Sequence, residues 1–355
     1  MVNPSKELHE LVSIVVKEGA SDLHMSVGAY PTLRIAGNLI PLVKRPVLTA
    51  EDTRVFLEIL ISKEKINIFE EKKEIDFSYM TEEAVRFRGN AFFQQRAVGI
   101  ALRLIPVKIP TLQELNLPPI LEKFTRIKQG FFMVVGPVGH GKSTTLASLL
   151  NLVNKERTEH IITIEDPIEY LFKKERSIID QREIGIDTRS FHAALTSMFR
   201  QDIDIIMLGE MRDSDTISTA VTAAETGHLV FSTLHTNNAA QTIDRIIDSF
   251  PADGQNQIRT QLSQSLVGIF SQRLIPRISG GLIPAYELLI NNDAIGNLIR
   301  ESQTHGINLV IETSSSEGMI TLDRSLVDLV RRGEITQEHA HAYSLDPRGL
   351  ENLMR

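Results

Sequence analysis

Residues 130–150, "GFFMVVGPVGHGKSTTLASLL", constrain the fold more than any other stretch of the chain. An unbroken apolar run suited to a buried strand ends in the pattern G-x-x-x-x-G-K-S, and a run suited to a helix follows directly. Gly136, Gly139 and Gly141 give the backbone access to positive φ, so that successive N–H groups can turn inward around an anion. The helix expected from Ser143 to about Asn154 aims its unpaired amides and positive dipole end at the same point. Lys142 can then reach the β- and γ-phosphates of a nucleotide, while the Ser143 hydroxyl is placed to ligate Mg²⁺. A strand before and a helix after distinguish this pattern from a glycine-rich turn that only caps a helix. Gly136, Pro137, Val138, Gly139, His140, Gly141, Lys142, Ser143 and Thr144 are therefore the expected nucleotide cradle, with ATP and Mg²⁺ as the expected ligands.

At 355 residues the chain exceeds one typical domain. Leu8, Leu11, Val12, Val15 and Val16 recur at helical spacing, and "PTLRIAGNLIPL" reads as a hairpin around Gly37 and Asn38. One charged helical segment is expected from Ala50 to about Lys72. Strand patterns follow at Phe77 and Tyr79, Val85 and Phe87, then Ile100, Leu102 and Leu104. "PVKIPTLQELNLPP", with four prolines, limits both helix and ladder formation. These signals predict an α+β domain with an antiparallel sheet at 1–105, a linker at 106–118 and a second domain at 119–355. In the second domain "FFMVVG", "HIITIED", "DIIMLGE" and "LVFSTLH" alternate with helical patterns, the signature of an α/β fold whose parallel strand ends collect ligands. Ile258, Leu262, Leu266, Ile269 and Phe270 are expected on one face of a later helix, and a helical tail is expected from about Ala294 to Met354.

Three of those strand ends carry acids or histidines. "ITIEDPIEY" presents Glu165, Asp166 and Glu169. "MLGEMRD" presents Glu210, with Gly209 at the place that many P-loop enzymes give to a metal-linked aspartate. Glu210 is thus the candidate to polarise the attacking water, and metal ligation falls to Ser143 and to acids of the earlier strand, Glu165 first. His228 and His235 flank one strand; His235, before a helix start, is the candidate phosphate sensor. In the first domain Arg86, Arg88 and Arg103 alternate with apolar residues and point away from the core. They are either a solvated face or the arginines an ATP site uses against phosphoryl charge.

The absence of cysteine removes disulfide and thiolate–zinc chemistry. A net charge of 38 − 45 = −7 argues against duplex nucleic acid as a partner. Lys6, Glu7, Glu10, Lys17 and Glu18 interrupt any apolar targeting segment, so a cytosolic location is expected.

"ASDLHMS" at 20–26, the P-loop, "TIEDPIEY", "GEMRD", "TGHLVFSTLHTNNAAQTIDRIIDSFP" and "AIGNLIRE" occur in an order that resembles the type IV pilus retraction ATPases, the PilT group of the secretion ATPase superfamily. The resemblance runs from about residue 6 to about residue 343. It implies a PAS-like N-terminal domain, a RecA-like ATPase domain and a homo-hexameric ring with ATP bound between the two domains. Carried over by position, Glu165 lies in the family's Asp box, Glu210 is the Walker B glutamate, His228 and His235 lie in the His box, and Arg88 and Arg103 fall where arginine fingers stand. The resemblance further implies a cytoplasmic motor at the inner-membrane base of the pilus. Its partners would be the platform protein, the pilus machinery and a paralogous retraction ATPase. One position departs from the family signature: Gly296 stands where the first arginine of the "AIRNLIRE" pattern is expected, which keeps an accessory PilU-like retraction ATPase open as the nearest alternative. A non-catalytic nucleotide-binding scaffold and a DNA-translocating RecA-like motor are the remaining rivals, separable by ATPase rates with and without DNA.

The motif itself makes the first prediction. Lys142→Ala deletes the cation that neutralises the β- and γ-phosphates, so calorimetry and phosphate release should both fall below wild type. Unchanged binding and hydrolysis would mean that this loop is not the working site.

Overall fold

The computed structural model describes residues 4–35, 37–83, 85–106, 108–211 and 213–354. The chain divides into two compact units, Met1–Lys108 and Ile109–Arg355.

The first unit is an antiparallel sheet of β1 (Asp22–Met25), β2 (Thr32–Ile35), β3 (Asn38–Pro41), β4 (Glu74–Met80), β5 (Arg86–Gln94) and β6 (Ala97–Leu104), in the order β3-β2-β1-β6-β5-β4. Leu8, Leu11, Phe56, Leu57 and Phe69 from three helices bury against Leu23, Phe87, Ile100 and Leu102 of the sheet. Period-2 alternation sends the intervening residues to the other face. There Arg34, Asp22, Arg103, Arg88 and Ser78 stand side by side across five strands. The charged helical segment expected at 50–72 is two helices, Ala50–Leu60 and Lys63–Lys72. Ile61 takes extended backbone, and the Ser62 hydroxyl accepts from Lys65 N and starts the second helix as its N-cap.

The second unit is built on a seven-stranded sheet of β7 (Gly130–Val135), β8 (His160–Glu165), β9 (Ile178–Glu183), β10 (Ile205–Leu208), β11 (Leu229–Leu234), β12 (Leu266–Pro276) and β13 (Leu282–Ile290). The order is β13-β12-β7-β11-β10-β8-β9, parallel except for β13. Helices cover both faces: Phe131, Met133 and Val230 lie in one core, Phe132, Val134, Phe231 and Phe270 in another. Burial on two faces explains why these strands read as unbroken apolar runs.

The expected long helix carrying Ile258 through Phe270 is corrected. The helix Gln255–Ser265 stops, and Leu266 begins β12, with Ile269 and Phe270 in the sheet. The spacing of those apolar residues satisfies a helix, but a strand buried on both faces also shows no alternation, and pairing with β7 and β13 decides it. The tail is helical, with Leu322, Leu326, Leu329 and Leu350 packed on Ile275 and Ile283.

Gly296 lies buried in the helix Asp293–Arg300, where an added Cβ would come within 3.4 Å of the Ser263 carbonyl oxygen. The glycine therefore sits at a close helix–helix contact.

Candidate active site

β7 delivers the chain to Gly136 at the carboxyl ends of the parallel strands, the side of such a sheet where ligands gather. Gly136, Gly139 and Gly141 take φ values of 144°, 80° and 79°. A Cβ on Gly136 would lie 2.3 Å from the carbonyl oxygen of Gln272, so β12 presses directly on the loop and leaves room only for glycine. Gln272 then clasps both flanks of the loop. Its Nε2 donates to the His140 carbonyl at 2.9 Å, and its Oε1 accepts from Thr145 Oγ1 at 2.7 Å. His140 Nδ1 accepts from Leu274 N at 2.9 Å. Burial, then the cations of Arg273 and Lys142, holds the His140 ring below its ordinary pKa, which suits this acceptor role. His140 thus contributes its backbone to the cradle and its ring to the wall behind. The Thr144 hydroxyl lies 2.9 Å from that of Tyr170.

Lys142 begins the helix Lys142–Glu156 and is buried. Its Nζ donates to the carbonyls of Gly136 at 2.9 Å and Pro137 at 2.8 Å, and lies 3.0 Å from His235 Nδ1. Burial pushes the ammonium pKa down to about 8, against the opposing pull of Glu169 and Glu210. An ammonium can only donate, so Nδ1 of His235 accepts, and in the neutral ring the proton is assigned to Nε2. Nε2 stands 3.7 Å from Glu210 Oε2. Thr233 Oγ1 donates to the Gly209 carbonyl at 2.6 Å and ties the end of β10 to that of β11. Lys142, His235 and Glu210, which come from three separate places in the sequence, therefore form one chain of polar contacts at the loop.

Glu165 ends β8, as the sequence predicts, with its side chain turned inward. It is buried; Oε1 accepts from Thr163 Oγ1 at 2.7 Å and Gln181 Nε2 at 3.2 Å, and Oε2 accepts from Glu169 N at 3.2 Å. Burial pushes its carboxyl up to about 7. These three contacts turn the carboxyl into the protein and order the Asp-box loop. Ser143 is different: half-buried, it has no side-chain hydrogen-bond partner among the described residues. No cluster of three or more acids and histidines able to hold a metal occurs among the described residues. That donor set suits Mg²⁺ carried on phosphate, which takes few protein ligands.

His228 stands away from the loop. It precedes β11 while His235 follows it, and about seven residues at about 3.3 Å each separate the two by roughly 20 Å. His228 Nδ1 lies 3.0 Å from the Ala223 carbonyl, and its ring packs edge-on against Phe199. It is a packing residue at the opposite end of the sheet from the P-loop of its own unit. Arg88 and Arg103 are exposed on the first unit's sheet. Arg212 of the "GEMRD" motif lies outside the described residues.

Sequence reasoning missed Gln272, Thr145 and Tyr170. The signal for the first was "FSQRLIP", a polar pair inside an apolar run, which acquires meaning only once that run is a strand beside β7.

The depressed Lys142 value predicts proton linkage. Phosphate favours the ammonium and raises its pKa, so binding takes up a proton between about pH 8 and the higher bound value, and affinity falls as pH climbs through that window. Calorimetric ADP titrations in buffers of different ionisation enthalpy should show most of one proton taken up at about pH 9 and a minor fraction at about pH 7.5. Equal uptake at both would contradict the assignment.

The chain matches the family profile described as Type II/IV secretion system protein over residues 4–310. It is 43% identical over 334 residues to the type IV pilus retraction ATPase PilT of Pseudomonas aeruginosa, covering 94% of this chain and 97% of that protein. It is 41% identical over 339 residues to the type IV pilus ATPase PilU of the same organism, covering 95% and 88%. The crystal structure of the pilus retraction motor PilT with bound ADP superposes with a TM-score of 0.91 at 46% identity, covering 97% of this chain and 98% of that one. With the profile matched over residues 4–310 and its relatives matched in sequence and fold over nearly the whole length, the chain belongs to the type II/IV secretion ATPase family as a PilT-like member.

Proposed function

We propose that the protein is an ATP-hydrolysing motor for type IV pilus retraction, acting as a homo-hexameric ring at the cytoplasmic base of the pilus. The observation that carries this reading is the contact chain Lys142–His235–Glu210 beside the P-loop. Lys142 binds phosphate, Glu210 orients the attacking water, and His235 stands between them and registers the state of the phosphate. Ser143 would hold Mg²⁺, which would supply charge neutralisation to the phosphates when bound. Arg88 and Arg103 act on the developing phosphoryl charge. None of these roles needs a covalent intermediate. Among the described residues no helix is long and apolar enough to cross a membrane. The protein's partners in this reading are the pilus platform protein and the pilus machinery.

A second reading, an accessory PilU-like ATPase, is favoured by Gly296. The buried glycine removes a cation from the helix Asp293–Arg300, the segment that carries the family's signature. Both readings share the same hydrolytic centre.

Glu210→Gln keeps size and hydrogen bonding while it removes the carboxylate. ATP should still bind, while turnover falls by about 10²-fold or more, the scale of losing a general base. Near-normal phosphate release from this variant would move the role to another group.

A further inference from the structure

The exposed face of the first unit's sheet carries a residue whose chemistry the proposed function has not used. Asp22 of β1 stands between Arg34 on β2 and Arg103 on β6. Its side chain is 9% exposed and that of Arg103 is 66% exposed, so a buried carboxylate holds the root of a projecting cation. Asp22 Oδ1 accepts from Arg103 Nε at 2.8 Å, and Oδ2 accepts from Ser21 Oγ at 2.8 Å. Burial opposes the charged form, but the bonds from Ser21 and Arg103 outweigh it and keep the carboxyl below its ordinary pKa. Arg34 is engaged with the Gly37 carbonyl, which leaves Asp22 to Arg103.

We propose that Asp22 is the positioning residue for Arg103, fixing the guanidinium plane so that its terminal nitrogens project together from the sheet; this rests on the reading of Arg103 as a phosphate-directed arginine. The geometry has a specific consequence. A bond at Nε immobilises the guanidinium at its root and uses only one of its five donors, and neither terminal nitrogen of Arg103 has a partner among the described residues. A planar fork held this way can take two phosphate oxygens at once, whereas a freely rotating one must first lose rotamer freedom. Arg88 lies directly across the strand pair from Arg103, and like charges so placed repel. The Asp22 carboxylate offsets that repulsion and keeps Arg103 from being driven aside. Ser21 secures the second carboxylate oxygen, so Asp22 itself is held from both sides.

The test uses the full-length protein with Mg²⁺ and ATP, with assembly checked by size and kcat and KM measured separately. Misplacing a catalytic group lowers kcat more than binding, so Arg103→Ala should lower kcat by at least about 10-fold and Asp22→Ala by about 10-fold, with KM within about 2-fold. Asp22→Asn retains an acceptor for Nε without the charge and should fall between, at about 3-fold. The double variant Asp22→Ala/Arg103→Ala should be no slower than Arg103→Ala alone, because Asp22 acts through the arginine. If Asp22→Ala fails to assemble, the Asn variant, alone and combined with Arg103→Ala, decides the same question. A wild-type kcat in the Asp22 variants beside a slow Arg103→Ala overturns the positioning role and leaves the arginine's own role standing. Further slowing of the Arg103→Ala enzyme by the Asp22 change also overturns it, since Asp22 would then act on the fold. A wild-type rate in Arg103→Ala overturns the reading of that arginine and this inference together.

Discussion

An ammonium buried beneath the glycine loop is the interaction on which the second unit's organisation depends. Placing the Lys142 cation out of water is unfavourable unless its donors are met. Two carbonyls, from Gly136 and Pro137, and the Nδ1 of His235 meet them. The carbonyls are available because positive φ at the loop glycines turns the chain back over the lysine. His235 is available because β11 lies beside β7 in parallel, so that both strands end at the same edge. Any ligand that displaces these contacts must offer comparable negative charge, which a polyphosphate does.

The wall behind the loop is as important as the loop. β12 reaches Gly136 with a backbone carbonyl and reaches His140 and Thr145 with the Gln272 side chain. Its next residue, Arg273, donates to the Tyr343 carbonyl and to Asn237 Oδ1, two residues beyond His235. The cradle, the His235 loop and the C-terminal helices are therefore anchored to neighbouring positions of one strand. Glu287 on β13 adds a further tie, accepting from Ala239 N at the start of the following helix. Burial pushes this carboxyl up to about 7.

The P-loop and the mostly parallel character of the second unit's sheet are legible because both signals are local: glycine spacing, and apolar runs separated by helical ones. The two-helix break at Ile61 and Ser62 was missed because the charged pattern runs through it and only a hydroxyl cap marks the boundary. The start of β12, Leu266 to Phe270, reads as helix because full burial erases strand alternation. That His228 and His235 flank one strand is legible in the sequence, and a strand carries its two ends to opposite edges of a sheet, so only His235 stands at the P-loop of its own unit. Glu165 illustrates a different limit. Its strand-end position was readable, but whether its oxygens face solvent or Thr163, Gln181 and Glu169 depends on how loops close over it. Gln272 and Thr145, 127 residues apart, meet only in the folded sheet.

Kinship with PilT over nearly the whole chain joins this site to a mechanical task, and the direction of that task is the central claim. The most direct measurement is to delete the gene in its host and count surface pili while scoring twitching. Retraction predicts cells that accumulate pili and do not move, with both defects reversed by the wild-type gene. Cells without pili would contradict the account, because they would place the motor in assembly.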